Sequence, residues 1–343
     1  MKKILIVGQG IAGTVLAWTL RQHGAEVTVV DAGFSDAASR VAAGIINPVT
    51  GKRYAKSWRV DEFLPFARNF YAEIEAALSI KIWHNRHIIR LLNSVEEENN
   101  WSARCGLPDF DGYMGSRTDG GDWSPFLKNG FRFGELRQAA QVDFAPFLRA
   151  FREKMAAENR LWEQEISPPE IENLSHVFDH VILCLGHRAT LNPFFPDLPW
   201  QLAKGEVLLV RLADARAAAV GQLLKKKILL APLGSNLFWA GANYEWEFAD
   251  TAPSETGKQF VINELREMLG VPFEIENHVA GVRPVVSDRR PLVGFLPENE
   301  RVGIYNGFGS KGTLLAPYWA AHFAEHILES RPLAPDIDVR RFY

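Results

Sequence analysis

The feature of this sequence that most constrains its fold is a glycine motif, G-x-G-x-x-G, between two short apolar runs near its first residue. Gly8, Gly10 and Gly13 follow the apolar residues 4–7, and a helical pattern and a second apolar run then lead to Asp31. Strand, glycine turn, helix, strand and acid in this order are typical of a Rossmann-type unit. The sequence therefore predicts an α/β fold with a dinucleotide site at the glycine turn.

Each residue of the motif has a physical role in such a site. Gly8 permits the tight turn, Gly10 lets the backbone approach a pyrophosphate, and Gly13 allows the helix to pack closely on the strand. The first turn of the helix offers unpaired amides and the positive end of its dipole to the phosphates. Asp31 can accept hydrogen bonds from a ribose diol. FAD and NAD satisfy this motif equally.

Length and charge exclude several classes of protein. With 343 residues, the chain is expected to form two closely associated domains. A net charge of -3 without a long basic run argues against nucleic-acid binding. The longest apolar runs are too short to span a membrane, so we expect a soluble protein of the cytoplasm. Cys105 and Cys184 form no C-x-x-C pair and predict neither a disulfide framework nor a zinc site.

A second motif, HFAEH at residues 322–326, matches the H-x-x-E-H pattern of some zinc enzymes. His322 and His326 stand one helical turn apart and could share a metal ion. The alternative is that both are packing or surface residues of an amphipathic helix. We favour the alternative and predict no metal.

The rest of the chain divides into recognisable blocks. An apolar strand at 179–186 precedes a proline-rich stretch, which indicates a boundary, and several strands follow between 204 and 245. Ser254 and Gly270 bracket a predicted helix, and another helix begins near Thr313. Residues 93–135 are rich in Gly, Asp, Asn and Trp and predict loops and short strands.

Seven motifs in one order resemble the D-amino-acid oxidase family of flavoproteins, especially its glycine oxidase and sarcosine oxidase branches. The resemblance spans nearly the whole chain and implies FAD rather than NAD. The motifs are GQGIAG with Asp31, SRVAAGI at 39–45, VILCLG at 181–186, KGEVLLV at 204–210, WAGANYE at 239–245, GVRPVVSDRRPLVG at 281–294 and NGFGSKGTLLAP at 306–317.

The resemblance also implies an architecture. A Rossmann-like FAD-binding domain would be assembled from residues 1–80, 140–195 and 275–343. Residues 81–139 and 196–274 would form an inserted α+β substrate-binding domain on a mixed sheet.

Arg283, in the G-x-R-P motif, corresponds to an arginine that binds the substrate carboxylate at the flavin face in this family. A guanidinium is permanently charged, and its planar fork matches a carboxylate with two parallel hydrogen bonds. The alternative is a structural ion pair of Arg283 with Asp288 or another acid. We favour carboxylate binding.

Lys311 and Tyr244 are the other two predicted catalytic residues. The resemblance places the ammonium of Lys311 at the N1–C2 carbonyl region of the flavin, where negative charge accumulates on reduction. Tyr244 falls where the family places a residue over the substrate, and it could either donate a hydrogen bond to a carboxylate or form a wall of the pocket. The sequence GSKG at 309–312 is closer to the GSRG of an enzyme that modifies a tRNA wobble uridine than to glycine oxidases.

The resemblance implies a larger set of cofactor-binding residues, among which Arg283 and Lys311 appear again. Since no cysteine follows Cys184, we expect the FAD to be bound without a covalent link. The predicted set is Gly8, Gln9, Gly10, Ile11, Ala12, Gly13, Asp31, Ala32, Ser39, Arg40, Ala43, Gly44, Ile45, Ile166, Cys184, Leu185, Gly186, Arg283, Gly307, Phe308, Gly309, Ser310, Lys311, Gly312 and Thr313.

These observations predict an enzyme that oxidises an amino acid or a secondary amine. Hydride would pass from the carbon beside nitrogen to flavin N5, the imine product would hydrolyse, and oxygen or another acceptor would reoxidise the flavin. Three alternatives stay open at this point: an oxidoreductase acting on a modified tRNA wobble-uridine side chain, a flavin-binding protein without turnover of its own, and an NAD-linked dehydrogenase.

Overall fold

The computed structural model describes residues 1–51 and 53–343. Its strands are β1 Lys3–Val7, β2 Glu26–Val30, β3 Ile45–Ile46, β4 Val49–Thr50, β5 Ala55–Lys56, β6 Trp83–Leu92, β7 Met114–Arg117, β8 Arg132–Val142, β9 Leu161–Trp162, β10 His180–Leu183, β11 Ala203–Leu212, β12 Leu223–Lys225, β13 Leu229–Gly234, β14 Leu237–Gly241, β15 Phe273–Arg283, β16 Leu292–Leu296 and β17 Asn299–Asn306. Its α-helices are α1 Ile11–Gln22, α2 Ala38–Val41, α3 Val60–Leu78, α4 Val95–Cys105, α5 Phe144–Ala157, α6 Pro168–Leu174, α7 Glu255–Met268 and α8 Gly312–Glu329.

One six-stranded sheet carries the predicted Rossmann unit, in the strand order β16-β17-β10-β1-β2-β9. The strand β1 pairs in parallel with both β2 and β10. Its residues Ile4, Leu5 and Ile6 are fully buried, as expected of a parallel strand that is covered on both faces. The helix α1 connects β1 to β2, and the Rossmann-like part of the predicted fold is confirmed.

A larger mixed sheet lies in the order β15-β11-β14-β13-β12-β6-β8-β3, with β7 added to β8. Most of its pairs are antiparallel, whereas β12 and β6 run in parallel. The side chains on one of its faces, such as Leu224 and Leu230, pack with Val261 and Leu265 of α7. This α+β arrangement also agrees with the predicted fold class.

The large sheet draws strands from segments that we assign to both domains. The strand β3 at 45–46 pairs with β8, and β15, which extends to Arg283, pairs with β11. The segments therefore interlock at the sheet, and the division at residues 80, 140, 195 and 275 stays a prediction.

Two of the helices outside the Rossmann unit form where the sequence predicts them. Ser254 caps α7, since its Oγ accepts the amide hydrogen of Gly257 at 3.0 Å, and α8 begins one residue before Thr313. By contrast, α4 forms where we predict loops and short strands. Ser94 accepts the amide of Glu97 at 3.1 Å, and three glutamates in the first turn suit the positive end of the helix dipole. Within the described residues, no helix is long and apolar enough to cross a membrane.

Candidate active site

The glycine turn between β1 and α1 has no room for side chains at two of its positions. A Cβ atom on Gly8 would lie 2.5 Å from the carbonyl oxygen of Cys184, and the φ of Gly8 is +102°. A Cβ atom on Gly13 would lie 1.8 Å from the carbonyl oxygen of Gly8. Both positions therefore require glycine. The first-turn amides of α1 lie beside this turn, and that of Ile11 donates to Ser39 Oγ at 2.9 Å.

Asp31 lies at the end of β2 beside the same turn. Its Oδ2 accepts the amide hydrogen of Gln9 at 2.7 Å, and its Oδ1 accepts that of Gly33 at 2.9 Å. Arg152 of α5 donates to Asp31 Oδ1 at 3.1 Å and to Gln9 Oε1 at 2.7 Å. Arg152 also pairs with Glu163. The sequence did not reveal Arg152, because it contacts the motif from more than a hundred residues away.

These residues fit a dinucleotide such as FAD. The turn brings backbone rather than side chains to the position of a pyrophosphate, the α1 amides supply hydrogen-bond donors there, and Asp31 supplies an acceptor for a ribose. The first turn of α1 contains no acidic side chain that would compete with a bound phosphate for these amides.

The segment after β2 reaches from the glycine turn to the large sheet. Ser39 and Arg40 lie on α2, and Ile45 pairs with Gln141 of β8. The indole nitrogen of Trp239, on β14, donates to the carbonyl of Val41 at 2.7 Å. The predicted cofactor residues of this segment follow one another along the chain from the end of β2 to β3 of the large sheet; they are Ala32, Ser39, Arg40, Ala43, Gly44 and Ile45. Ile166 packs instead against the cluster that contains Val7 and Val30.

The loop before α8 contacts both the glycine turn and the end of β10. A Cβ atom on Gly312 would lie 3.3 Å from Cγ2 of Ile11. Asn306 Nδ2 donates to the carbonyl of Gly186 at 2.8 Å, and the amide of Gly309 donates to the carbonyl of Pro284 at 3.1 Å. The structure therefore brings together the three predicted segments 184–186, 283–284 and 306–313. The loop contributes Gly307, Phe308, Gly309, Ser310, Lys311, Gly312 and Thr313, beside Cys184, Leu185 and Gly186.

Lys311 lies just before α8 with its side chain mostly buried. Burial is the largest cause that lowers the pKa of Lys311, and repulsion from Arg290 and Arg289 adds to it. Arg289 is exposed, and the guanidinium of Arg290 lies 4.0 Å from the ring centroid of Trp58. Three cations therefore stand close together at this loop.

Arg283 ends β15, and its guanidinium lies against Gly205 of the neighbouring strand β11. A Cβ atom on Gly205 would lie 2.1 Å from Nη2 of Arg283. Nη1 is 3.5 Å from the carbonyl oxygen of Asn243, and the ring centroid of Tyr244 is 4.3 Å from the guanidinium carbon. Burial lowers the pKa of Arg283. Gly205 and Asn243 lie inside motifs that we recognised, but only the strand pairing reveals their contact with Arg283.

The alternative ion pair of Arg283 is not formed. Asp288 is exposed and accepts a hydrogen bond from Arg341 Nε at 2.9 Å. Among residues 1–51 and 53–343, no carboxylate forms an ion pair with Arg283. The guanidinium is therefore a mostly buried cation without a carboxylate partner among these residues.

Tyr244, which contacts Arg283, and the nearby Trp246 are both largely exposed. The side chain of Tyr244 is 55% exposed and that of Trp246 is 53% exposed, and their ring centroids are 6.0 Å apart. The face of Tyr244, rather than its hydroxyl, contacts Arg283.

The histidines of HFAEH each bond to backbone. Nε2 of His322 accepts the amide hydrogen of Ala334 at 2.9 Å, and Nδ1 of His326 lies 2.6 Å from the carbonyl oxygen of Arg331. Apart from residue 52, which lies outside the description, the chain contains no cluster of three or more His, Cys, Asp or Glu side chains that could hold a metal ion.

Comparisons with known proteins find both a matching family and individual relatives. The sequence pattern of the DAO family, described as FAD dependent oxidoreductase, matches residues 3–326. The bifunctional protein ThiO/ThiG of Nostoc sp. is 23% identical over 368 residues, which cover 96% of this chain and 53% of that protein. The tRNA 5-methylaminomethyl-2-thiouridine biosynthesis bifunctional protein MnmC of Marinobacter nauticus is 24% identical over 378 residues, which cover 99% of this chain and 58% of that protein.

The chain thus spans little more than half the length of these two bifunctional relatives. Among solved structures, glycine oxidase from Geobacillus kaustophilus superposes with a TM-score of 0.77 at 19% identity. That superposition covers 100% of this chain and 98% of the other. At this identity, the likeness to glycine oxidase is a likeness of fold.

Proposed function

We propose, from the premise that this chain belongs to the DAO family of FAD-dependent oxidoreductases, that it oxidises an amino acid or a secondary amine carrying a carboxylate. The observation that carries the proposal is the guanidinium of Arg283, which is mostly buried and has no carboxylate partner in the described residues. A cation held in this way is strongly stabilised when an anion binds to it.

Each of the three predicted catalytic residues would have its own role in this reaction. Arg283 would hold the substrate carboxylate with two parallel hydrogen bonds and so orient the carbon beside nitrogen. Tyr244 would cover the outer face of the guanidinium and keep water from it. Lys311, with the first turn of α8, would stabilise negative charge at the flavin. FAD, when bound, supplies the hydride acceptor, and the imine product hydrolyses in water.

The cofactor is proposed to be bound without a covalent link. Cys184 is buried against Gly8, and burial raises the pKa of its thiol, which opposes the formation of a reactive thiolate. Acid precipitation should therefore release all FAD into the supernatant, and yellow colour in the washed pellet would contradict this.

The proposal is tested by the visible spectrum of the purified protein in the absence of oxygen. Glycine, sarcosine, proline and both enantiomers of common amino acids are added one at a time. Bleaching of the flavin band by one of them supports amine oxidation and names the substrate class. A stable band with every amine would contradict it. The rate at which the bleached flavin recovers with oxygen then separates an oxidase from a dehydrogenase.

A second candidate is oxidation of a modified tRNA wobble-uridine side chain, which the similarity to MnmC and the GSKG sequence favour. The net charge of -3 argues against tight tRNA binding. Filter binding of bulk tRNA at two salt concentrations decides between the candidates. Binding that falls steeply with salt, together with flavin reduction by tRNA but not by free amines, would favour the second candidate.

A further inference from the structure

Glu206 is a fully buried acid on β11 that the proposed function does not use. It follows Gly205, against which the guanidinium of Arg283 lies. Because side chains alternate along a strand, Glu206 projects from the other face of the large sheet. There its carboxylate accepts the amide hydrogen of Ser254 at 2.8 Å and the hydroxyl hydrogen of Ser254 at 2.6 Å, and it lies 2.8 Å from Nε2 of His278. Glu206 therefore joins β11 to the start of α7 and to β15.

The first turn of α7 lies directly against this carboxylate. A Cβ atom on Gly257 would lie 2.3 Å from the carboxyl carbon of Glu206, so the helix can approach only because residue 257 has no side chain. Oγ of Ser254 also accepts the amide hydrogen of Gly257 at 3.0 Å, so one hydroxyl both caps the helix and donates to Glu206. The positive end of the helix dipole favours a negative charge at this place.

Glu206 is ionised at neutral pH. Burial raises its pKa, but the hydrogen bonds from Ser254 and His278 and the charge of Lys204 outweigh burial and lower the pKa below its ordinary value. Nζ of Lys204, whose side chain is also buried, lies 3.4 Å from Oε1 of Glu206. Because desolvation offsets much of the attraction in a buried ion pair, stability alone does not account for its presence.

The loop that connects β14 to α7 carries Tyr244 and is held near its start by β11. Glu245 exchanges two backbone hydrogen bonds with Lys204, at 2.9 and 3.0 Å. Oδ1 of Asn243 accepts the amide hydrogen of Glu206 at 2.6 Å. The residues on both sides of Tyr244 are therefore fixed to the same strand.

The far end of this loop is held by the side chain of Glu206 through Ser254. On the opposite face of β11, Gly205 lies against Arg283, whose guanidinium carbon is 4.3 Å from the ring centroid of Tyr244. Neighbouring residues of one strand therefore position the arginine and the loop whose tyrosine contacts it.

We propose that Glu206 is a positioning residue of the substrate site: by holding Ser254, it keeps the loop of residues 242–254 closed on β11 and so keeps the ring of Tyr244 on the guanidinium of Arg283. This inference rests on the proposed function and adds to it the residue that fixes the loop. Without the carboxylate, the loop would be released at its far end, and the ring would leave the guanidinium for part of the time. A guanidinium that is more open to water binds a carboxylate less tightly.

A double-mutant cycle tests whether Glu206 acts through Tyr244. The FAD-loaded protein is titrated with propionate, an unreactive acid, and binding is followed by the shift in the flavin absorption bands. Glu206→Gln keeps the shape of the side chain and removes its charge, and we expect the Kd to rise about threefold to thirtyfold, as for loss of the ring from the guanidinium. In the Tyr244→Ala background, the same substitution should change the Kd by less than about twofold. An unchanged Kd in Glu206→Gln, or a rise of equal size in both backgrounds, would overturn the proposal.

Variants of Ser254 test the loop side of the contact and leave the buried charges paired, which covers the case that Glu206→Gln does not fold. Ser254→Ala removes the hydroxyl that donates to Glu206 and should raise the Kd for propionate about threefold or more. Ser254→Thr keeps a hydroxyl and should stay near the wild type. Ser94→Ala is the matched control, because Ser94 caps α4 in the same way, with its Oγ 3.1 Å from an amide nitrogen. Equal Kd values for Ser254→Ala and Ser94→Ala would count against the proposal.

Cleavage of the loop gives a readout that needs no ligand. Chymotrypsin can cut this loop after its aromatic residues, and the masses of the two fragments identify the site. When the loop opens and closes faster than it is cut, the rate of cleavage follows the population of the open loop. We therefore expect Glu206→Gln and Ser254→Ala to be cut about tenfold faster than the wild type, and Ser94→Ala to be cut at the wild-type rate. Cleavage of all three variants at the wild-type rate would contradict the role of Glu206 in holding the loop.

Flavin reduction by amines in the absence of oxygen separates this inference from the function on which it rests. In Glu206→Gln, the Kd for the amine should rise while the limiting rate of reduction stays within about twofold, since Glu206 acts on carboxylate binding. Reduction of Glu206→Gln by an amine with the Kd of the wild type would refute the positioning role and leave amine oxidation standing. Weaker propionate binding and faster loop cleavage in Glu206→Gln, without reduction of the wild type by any amine, would refute the oxidation and support the positioning role.

Discussion

The guanidinium of Arg283 occupies the space that a side chain on Gly205 would fill, because a Cβ atom there would lie 2.1 Å from Nη2. The two residues are on neighbouring strands, where Arg283 pairs with Ala203 and Gly205 pairs with Gly281. A glycine on β11 thus defines the position of the arginine on β15.

Gly205→Ala should displace the guanidinium while leaving the cofactor site intact. A shift of about 1 Å in a positioning group can lower the rate about 100-fold, so we expect a loss of about tenfold or more in kcat/KM for carboxylated amines. Steady-state kinetics at full FAD occupancy measure this. The matched control is Gly106→Ala, because a Cβ atom on Gly106 would meet nothing closer than 3.6 Å. Unchanged kinetics in Gly205→Ala would mean that Arg283 can move without consequence.

Tyr244 is expected to act through its ring. The ring centroid lies 4.3 Å from the guanidinium carbon of Arg283, and such a contact contributes about 0.5–2 kcal/mol. Tyr244→Phe should therefore keep the KM of the wild type, whereas Tyr244→Ala should raise KM about threefold to thirtyfold. If Tyr244→Phe raises KM as much as Tyr244→Ala does, the hydroxyl of Tyr244 donates a hydrogen bond to the substrate carboxylate, and the residue is not merely a wall of the pocket.

Lys311→Met should make the flavin harder to reduce. Removal of the ammonium takes away a positive charge from the place where negative charge develops. If the reduced flavin loses about 1.4 kcal/mol of stabilisation, its two-electron potential falls by about 30 mV. Equilibration with a reference dye measures the potential. Lys311→Arg keeps the charge and should stay near the wild type. A wild-type potential in Lys311→Met with FAD bound would show that the ammonium does not act on the flavin.

Arg152→Met should weaken FAD binding. Arg152 holds both Asp31 and Gln9, and without it the carboxylate of Asp31 loses a charge-assisted hydrogen bond worth about 1.5–3 kcal/mol. We expect the Kd for FAD to rise about tenfold, with little change in kcat once FAD is saturating. Fluorescence titration of the protein without cofactor gives this Kd. Arg149→Met, an exposed position on the same helix, is the control. Equal FAD affinity in both variants would mean that Arg152 does not contribute to FAD binding.

Local signals account for what the sequence predicted well. The spacing of Gly8, Gly10 and Gly13 and the pattern of two apolar runs involve neighbours in the chain, and β1, α1 and β2 form where they indicate. The N-cap at Ser254 is equally local. The α4 helix was missed because its capping signal at Ser94 precedes a stretch that is rich in polar residues and poor in apolar periodicity.

Contacts between distant segments account for what the sequence could not reveal. Arg152 reaches Asp31 across 121 positions, and Gly205 meets Arg283 only through the pairing of β11 with β15. The roles of the predicted site residues remain predictions until the variants are measured.

The most direct test of the account is the affinity of Arg283→Met for the amine that reduces the wild-type flavin. Rapid mixing without oxygen gives the Kd and the limiting rate of flavin reduction separately. We predict full FAD occupancy and a Kd about 100-fold higher than that of the wild type, because truncating one side of a buried charge pair costs about 2–5 kcal/mol. A Kd equal to that of the wild type, with FAD bound, would contradict the assignment of Arg283 as the carboxylate anchor.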